Sequence, residues 1–127
     1  MAIWGLGTDI VEIKRIEHQT FNTREQFADK ILTERELLEY PDDDEMQCRF
    51  LSMRYAAKEA AAKALGTGIS GNVKFCDFEV NHDSLGKPSL KLYGEALKIA
   101  KKYRVKKYFI SLTDENHYAS ATVIFEK

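Results

Sequence analysis

Two carboxylates and a lysine carry the clearest chemistry in this chain: Asp9, after the glycine-rich "GLGT", and Glu59 and Lys63 within "RYAAKEAAAKALGTGI". A carboxylate at the end of a strand and another on a helix could together hold one Mg²⁺. That ion takes oxygen ligands, often only one or two protein carboxylates, and fills its other positions with water and substrate phosphate. Arg54, Lys58 and Lys63 add cations on the same helix, and Gly66-Thr67-Gly68 follows it. Cations with unhindered backbone N–H groups suit a polyphosphate. The glycines follow the helix and Lys63 is not followed by Ser or Thr, so this is not a P-loop. Each residue also has a plainer reading. Asp9 with Glu12 has the spacing of a cap for a helix starting at Ile10. Glu59 with Lys63 has that of an ordinary surface ion pair.

The elements that must position these residues follow from the pattern. Residues 3–8 predict a short strand with Gly5 and Gly7 on one face, where missing side chains let another backbone approach closely. From Asp9 to Ile16 the apolar spacing turns helical, and Asn22 with Glu25 and Thr33 with Glu36 mark two further helix starts. "YPDDDEMQ" reads as a loop. A central helix is expected over 46–65, closed by Gly66. It places Phe50, Met53, Ala57, Ala60 and Ala64 on one side and Glu59 and Lys63 roughly opposite. Beyond it, "FCDFEV" and "SLKLY" read as strands around the turn-rich "NHDSLGKP", and "GEALKIAKKY" as a helix. "KYFISLT" and "YASATVIF" read as a hairpin closed by "DENH". The sum is an α+β fold: a compact single domain over residues 1–127, its long central helix packed on a small, mainly antiparallel sheet.

The composition narrows the function. With a net charge of −1 over 127 residues there is no global excess of cations to argue for nucleic acid. Cys48 and Cys76 are too few and too far apart for a zinc cluster or a disulfide scaffold. The N-terminus does not read as a signal peptide, and no stretch approaches the ~20 apolar residues that cross a bilayer. A soluble, cytoplasmic protein is expected, without membrane or nucleic-acid partners.

Taken together, "GLGTDIVEIKRIE" and "RYAAKEAAAKALGTGI" closely resemble the holo-[acyl-carrier-protein] synthases, the short bacterial 4′-phosphopantetheinyl transferases. The match lies at Gly7, Asp9, Ile10, Ile13, Arg15 and Ile16, then at Arg54, Lys58, Glu59, Lys63 and Gly66 through Ile69. "ILTERELLEY", "GKPSLKLYGEA" and "HYASATVIFE" extend it over essentially the whole chain. The resemblance implies transfer of phosphopantetheine from coenzyme A to a serine of an acyl carrier protein, releasing 3′,5′-ADP. It also implies that Asp9 and Glu59 bind Mg²⁺ on the pyrophosphate and that Lys63 lies near the phosphates, with Arg54 in the coenzyme A site. Lys58, Gly66, Thr67 and Gly68 fall within the same cofactor-binding motif. Arg15, extended by Lys14, Arg24 and Lys30, would face the acidic carrier. A homotrimer with sites shared between subunits is implied as well. One position departs from the pattern, since Phe109 stands where many relatives have a histidine contributing to the shared site; Asp114 sits where several have His or Asp.

Two other readings use the same residues. A metal-dependent phosphohydrolase would employ Asp9, Glu59 and Lys63 with water as the nucleophile. A non-catalytic module could bind a partner or RNA through Lys98, Lys101, Lys102, Lys106 and Lys107, although such a run is more commonly a solvated helix end.

Overall fold

The computed structural model describes residues 2–19 and 21–127. Strand β1 (Ile3–Glu12) leads through the short helices α1 (Lys14–Glu17), α2 (Phe21–Ile31) and α3 (Glu34–Leu37) to the long helix α4 (Asp44–Leu65). After a 3₁₀ turn at Phe75–Asp77 come β2 (Phe78–His82), β3 (Pro88–Leu92), α5 (Gly94–Lys102), β4 (Lys107–Asp114) and β5 (Tyr118–Glu126). The strands form an antiparallel sheet of order β1-β5-β4 and a separate β2-β3 hairpin. This is the expected α+β architecture.

The glycines of β1 decide how α4 lies on the sheet. A Cβ on Gly5 would stand 1.9 Å from the Ala64 carbonyl oxygen, and one on Gly7 1.9 Å from that of Ala60. Only bare backbone allows the helix this close. Across the contact Ala57, Ala60, Ala61 and Ala64 are buried, and Val123, Phe125, Phe78 and Val80 complete that side of the core. A second cluster, built on Ile13, Ile16, Ile31 and Leu51, fixes α1 and α2 against the first half of α4.

Four boundaries differ from those expected, the first being that the strand expected from Phe75 begins only at Phe78, because Phe75–Asp77 form the 3₁₀ turn. β1 does not turn helical at Asp9 but continues to Glu12, because Asp9, Ile10 and Val11 pair with Ala121, Ser120 and Ala119 of β5. Asp9 is therefore a strand residue and caps no helix. α2 begins at Phe21, which puts Asn22 inside the helix rather than before it. α4 begins at Asp44, two residues earlier than expected. The Asp43 carboxylate accepts from Met46 N–H, and Asp44 and Glu45 complement the positive helix end. Thr33 and Glu36 form the expected capping box, and Gly66 closes α4 at φ 88°.

Candidate functional site

Strand period brings Asp9 to the face of β1 that carries Gly5 and Gly7, the face turned to α4. Close approach of the helix then sets Lys63 over the strand. Its ammonium donates to Asp9 Oδ1 at 3.1 Å and to the Thr8 carbonyl at 2.9 Å. Lys63 thus engages β1, and its partners among the described residues do not include Glu59, so the surface-pair reading gives way. One turn before Lys63, Glu59 opens into the same cleft as Asp9. That cleft has a volume of about 600 Å³, and Arg15, Gln19 and Tyr55 also line it.

Glu59 stands on a ridge. Its other side faces a second cleft with Lys30, Ser70, Gly71 and Lys74. The ridge is braced by Tyr55, whose ring packs between Phe27 and Phe75 at centroid distances of 5.4 and 5.6 Å. Burial, and then the neighbouring Glu59 carboxylate, push the Tyr55 hydroxyl above its ordinary pKa. Tyr55 was not singled out in the sequence, although its position four residues before Glu59 on a helix is the signal for contact. Gln19 was not singled out either. Its side-chain oxygen is buried and has no hydrogen-bond partner among the described residues.

Several expected contacts are placed elsewhere. Lys58 is fully buried, donating to Glu36 Oε1 at 2.6 Å and to the Ile31 carbonyl, so it cannot reach a phosphate in the Asp9 cleft. The N–H groups of Gly66, Thr67 and Gly68 all donate to the Ala62 carbonyl, closing the helix. They are not free for a polyphosphate, and a helix C-terminus carries the wrong sign of dipole for one. Arg24 is buried and bound to Asp44 and Gln47, at 2.9 and 3.2 Å, so it tethers α2 to α4 instead of extending a docking surface. Lys14, Arg15 and Lys30 are exposed.

Arg54 is brought to a different cleft, of about 270 Å³, with Phe50, Met53 and His82, which shares no lining residue with the Asp9 cleft. Its guanidinium lies 4.3 Å from the Phe50 ring centroid and donates to Glu36 and Glu39. Partial burial and Arg54 hold the His82 imidazole below its ordinary pKa. Within one chain Arg54 and the Asp9–Glu59 pair are therefore apart.

The donor set fits a hard cation held loosely. Asp9 and Glu59 offer carboxylate oxygens, the Lys63 hydrogen bond to Asp9 falls on its Oδ1, and no cluster of three or more His, Cys, Asp or Glu that could hold a metal ion occurs among the described residues. That composition matches Mg²⁺ completed by water and a phosphorylated substrate, not a closed structural metal site.

Comparison with known proteins agrees with this architecture. Residues 5–123 match the model of the 4′-phosphopantetheinyl transferase superfamily. A holo-[acyl-carrier-protein] synthase of Escherichia coli O9:H4 is 52% identical over 126 residues, 99% of each chain. The crystal structure of the Neisseria meningitidis holo-[acyl-carrier-protein] synthase superposes with a TM-score of 0.86 at 44% identity, over 98% of this chain and 99% of that one. The Bacillus anthracis holo-(acyl-carrier-protein) synthase, solved in complex with CoA (3′,5′-ADP), gives a TM-score of 0.79 at 34% identity over 100% and 99%. The chain belongs to the 4′-phosphopantetheinyl transferase superfamily.

Proposed function

We propose that this enzyme transfers the 4′-phosphopantetheine group of coenzyme A to a serine of an apo acyl carrier protein. The observation that carries the reading is the convergence of Asp9, Glu59 and Lys63 where α4 crosses β1. The names of the E. coli and N. meningitidis relatives, and the ligand of the B. anthracis one, support the choice of substrates.

The serine hydroxyl attacks the phosphorus that bears pantetheine, the bond from that phosphorus to the bridging oxygen breaks, and 3′,5′-ADP leaves with the bridging electrons. Such transfers need alignment and charge neutralisation more than covalent help. Asp9 and Glu59 would hold the Mg²⁺, which would supply positive charge beside the coenzyme A pyrophosphate. Lys63 orients Asp9 and adds positive charge beside the leaving group. Glu59, facing two clefts, accepts the serine proton. The exposed Arg15, which lines the Asp9 cleft, and its sequence neighbour Lys14 orient the acidic carrier, with Lys30 across the ridge.

The reading extends to assembly. The outer face of the larger sheet presents Leu6, Ile10, Phe109 and Tyr118, each more than two-fifths exposed, and the register aligns Leu6, Ile124 and Phe109 in one row. We assign this face to contacts between copies in a homotrimer. Phe109, where relatives often carry histidine, then serves packing between subunits. A neighbour's Arg54 cleft completes each Asp9–Glu59 site. The whole chain acts as one domain, in the cytoplasm; among the described residues no helix is long and apolar enough to cross a membrane.

Intact-mass analysis of an apo acyl carrier protein after incubation with the enzyme and coenzyme A is the test. The expected result is a phosphopantetheine mass gain with Mg²⁺ and none with EDTA. Hydrolysis of coenzyme A without carrier modification would instead identify a phosphohydrolase.

A further inference from the structure

Four ionisable side chains meet behind the Arg54 cleft, and their roles are unequal. Glu36 is fully buried and fixed by four donors: Lys58 Nζ at 2.6 Å, Thr33 N–H at 2.9 Å, Val80 N–H at 3.0 Å and Arg54 Nη1 at 3.5 Å. It cannot leave without stranding a buried lysine and arginine. Lys58 and Arg54 pair with the buried Glu36 and exceed it by a single positive charge, while Glu79, also buried, is bound instead by Thr33, Asn81 and Tyr93. Glu39 supplies the balance. Its Oε2 accepts from Arg54 Nη2 at 3.3 Å, and its side chain is 51% exposed against 5% for Arg54. Arg54 is the hydrogen-bond partner of the Glu39 carboxylate among the described residues.

We propose that Glu39 is an internal stand-in for an anionic group of the ligand, occupying Arg54 in the free chain and displaced when a phosphate enters the cleft. This rests on the reading that coenzyme A reaches Arg54. A phosphate taking the place of Glu39 keeps negative charge against Arg54, and the freed carboxylate, already half in water, loses little by turning outward. The other arginine of the cleft is less available. Arg49 is held by Asp114 at 2.7 Å and by the Glu115 carbonyl at 3.0 Å. His82 Nδ1 lies 3.5 Å from the same Arg54 nitrogen that Glu39 engages, so its ring reports on what occupies the position. Glu39 therefore sets affinity by competition. Coenzyme A must outbid an exposed ion pair, an interaction that commonly corresponds to a factor of about two to five in binding.

The test is calorimetric titration of coenzyme A, with Mg²⁺ present, into the full-length wild type and its Glu39→Gln and Glu39→Ala variants, with the His82 ring followed by NMR. Both variants are expected to bind about two to five times more tightly, and coenzyme A is expected to move the wild-type His82 signal. A merely structural role for Glu39 would weaken binding. Unchanged or weaker binding in both variants, with His82 still responding, would overturn the stand-in role and leave the coenzyme A reading intact. A His82 signal that does not respond would place the ligand outside this cleft and overturn both.

Discussion

Lys63 Nζ lies 3.1 Å from Asp9 Oδ1, joining the last turn of α4 to β1. The pair is only half shielded, with the lysine side chain 51% exposed. An ion pair so placed contributes about 0–1 kcal/mol to stability, so its value lies in aiming the carboxylate.

Lys63→Met should therefore separate activity from stability. Loss of a group that orients a metal ligand commonly costs about 10- to 100-fold, and the loss should fall on turnover more than on the melting temperature. Asp9→Asn should reduce turnover at least as much with little loss of stability, because Asp9 caps no helix. Steady-state kinetics beside thermal melts would check both. A variant that melts early in proportion to its lost activity would return these residues to a structural role.

The close approach of helix and strand can be tested at Gly7. A methyl group there meets the Ala60 carbonyl oxygen at 1.9 Å and the Ala64 nitrogen at 2.7 Å, both backbone atoms that cannot step aside. Gly7→Ala should destabilise by about 1–3 kcal/mol or more and separate Asp9 from Glu59. Gly66→Ala makes the contrasting case: there is open space around it, and only its φ of 88° opposes a side chain, a cost of about 1–2 kcal/mol. Urea unfolding should rank Gly7→Ala well below Gly66→Ala; the reverse order would contradict the packing described.

This glycine pair also shows what could be read beforehand. Alternating glycines, an alanine-rich helix and a Gly C-cap are local signals, and each predicted the contact or boundary found. The strand's continuation past Asp9 was not local, since it depends on pairing with β5 more than a hundred residues later. Lys58 and Arg24 read as surface cations because nothing in their own segments announces Glu36, brought from α3, or Gln47, from the start of α4. The Gly66-Thr67-Gly68 backbone looked available because the sequence does not reveal that one carbonyl, that of Ala62, uses all three N–H groups.

A pH effect on stability follows from His82. Partial burial and Arg54 hold the folded imidazole below its ordinary value, whereas the unfolded ring titrates near pH 6.5. As pH falls through that value the unfolded chain takes up a proton that the folded chain accepts only at lower pH, so stability declines with falling pH across that window. Glu79 belongs to a separate window. Burial opposes its ionisation, but hydrogen bonds from Thr33, Asn81 and Tyr93 hold it below its ordinary value, so its part is lost in the more acidic carboxylate range. Urea midpoints between pH 7.5 and 5 should fall more for the wild type than for His82→Asn. Parallel profiles would mean that the ring is solvated.

The separation of Arg54 from the Asp9–Glu59 cleft makes the shared-site reading testable without a structure of the assembly. Neither Glu59→Gln nor Arg54→Ala should turn over well alone. If each site takes Glu59 from one subunit and Arg54 from the next, a trimer containing both variants has one interface at which both residues are native. Random mixing of equal amounts makes about three quarters of trimers mixed, so about a quarter of all sites should regain activity. Mixing after mild dissociation and reassembly, followed by the carrier-modification assay, would show the recovery. Phe109→Asp, which sets a charge in the exposed Leu6–Ile124–Phe109 row, should shift the mass measured by light scattering toward the monomer and abolish the recovery. No regain from the mixed variants, with trimers demonstrably exchanged, would mean that each chain completes its own site.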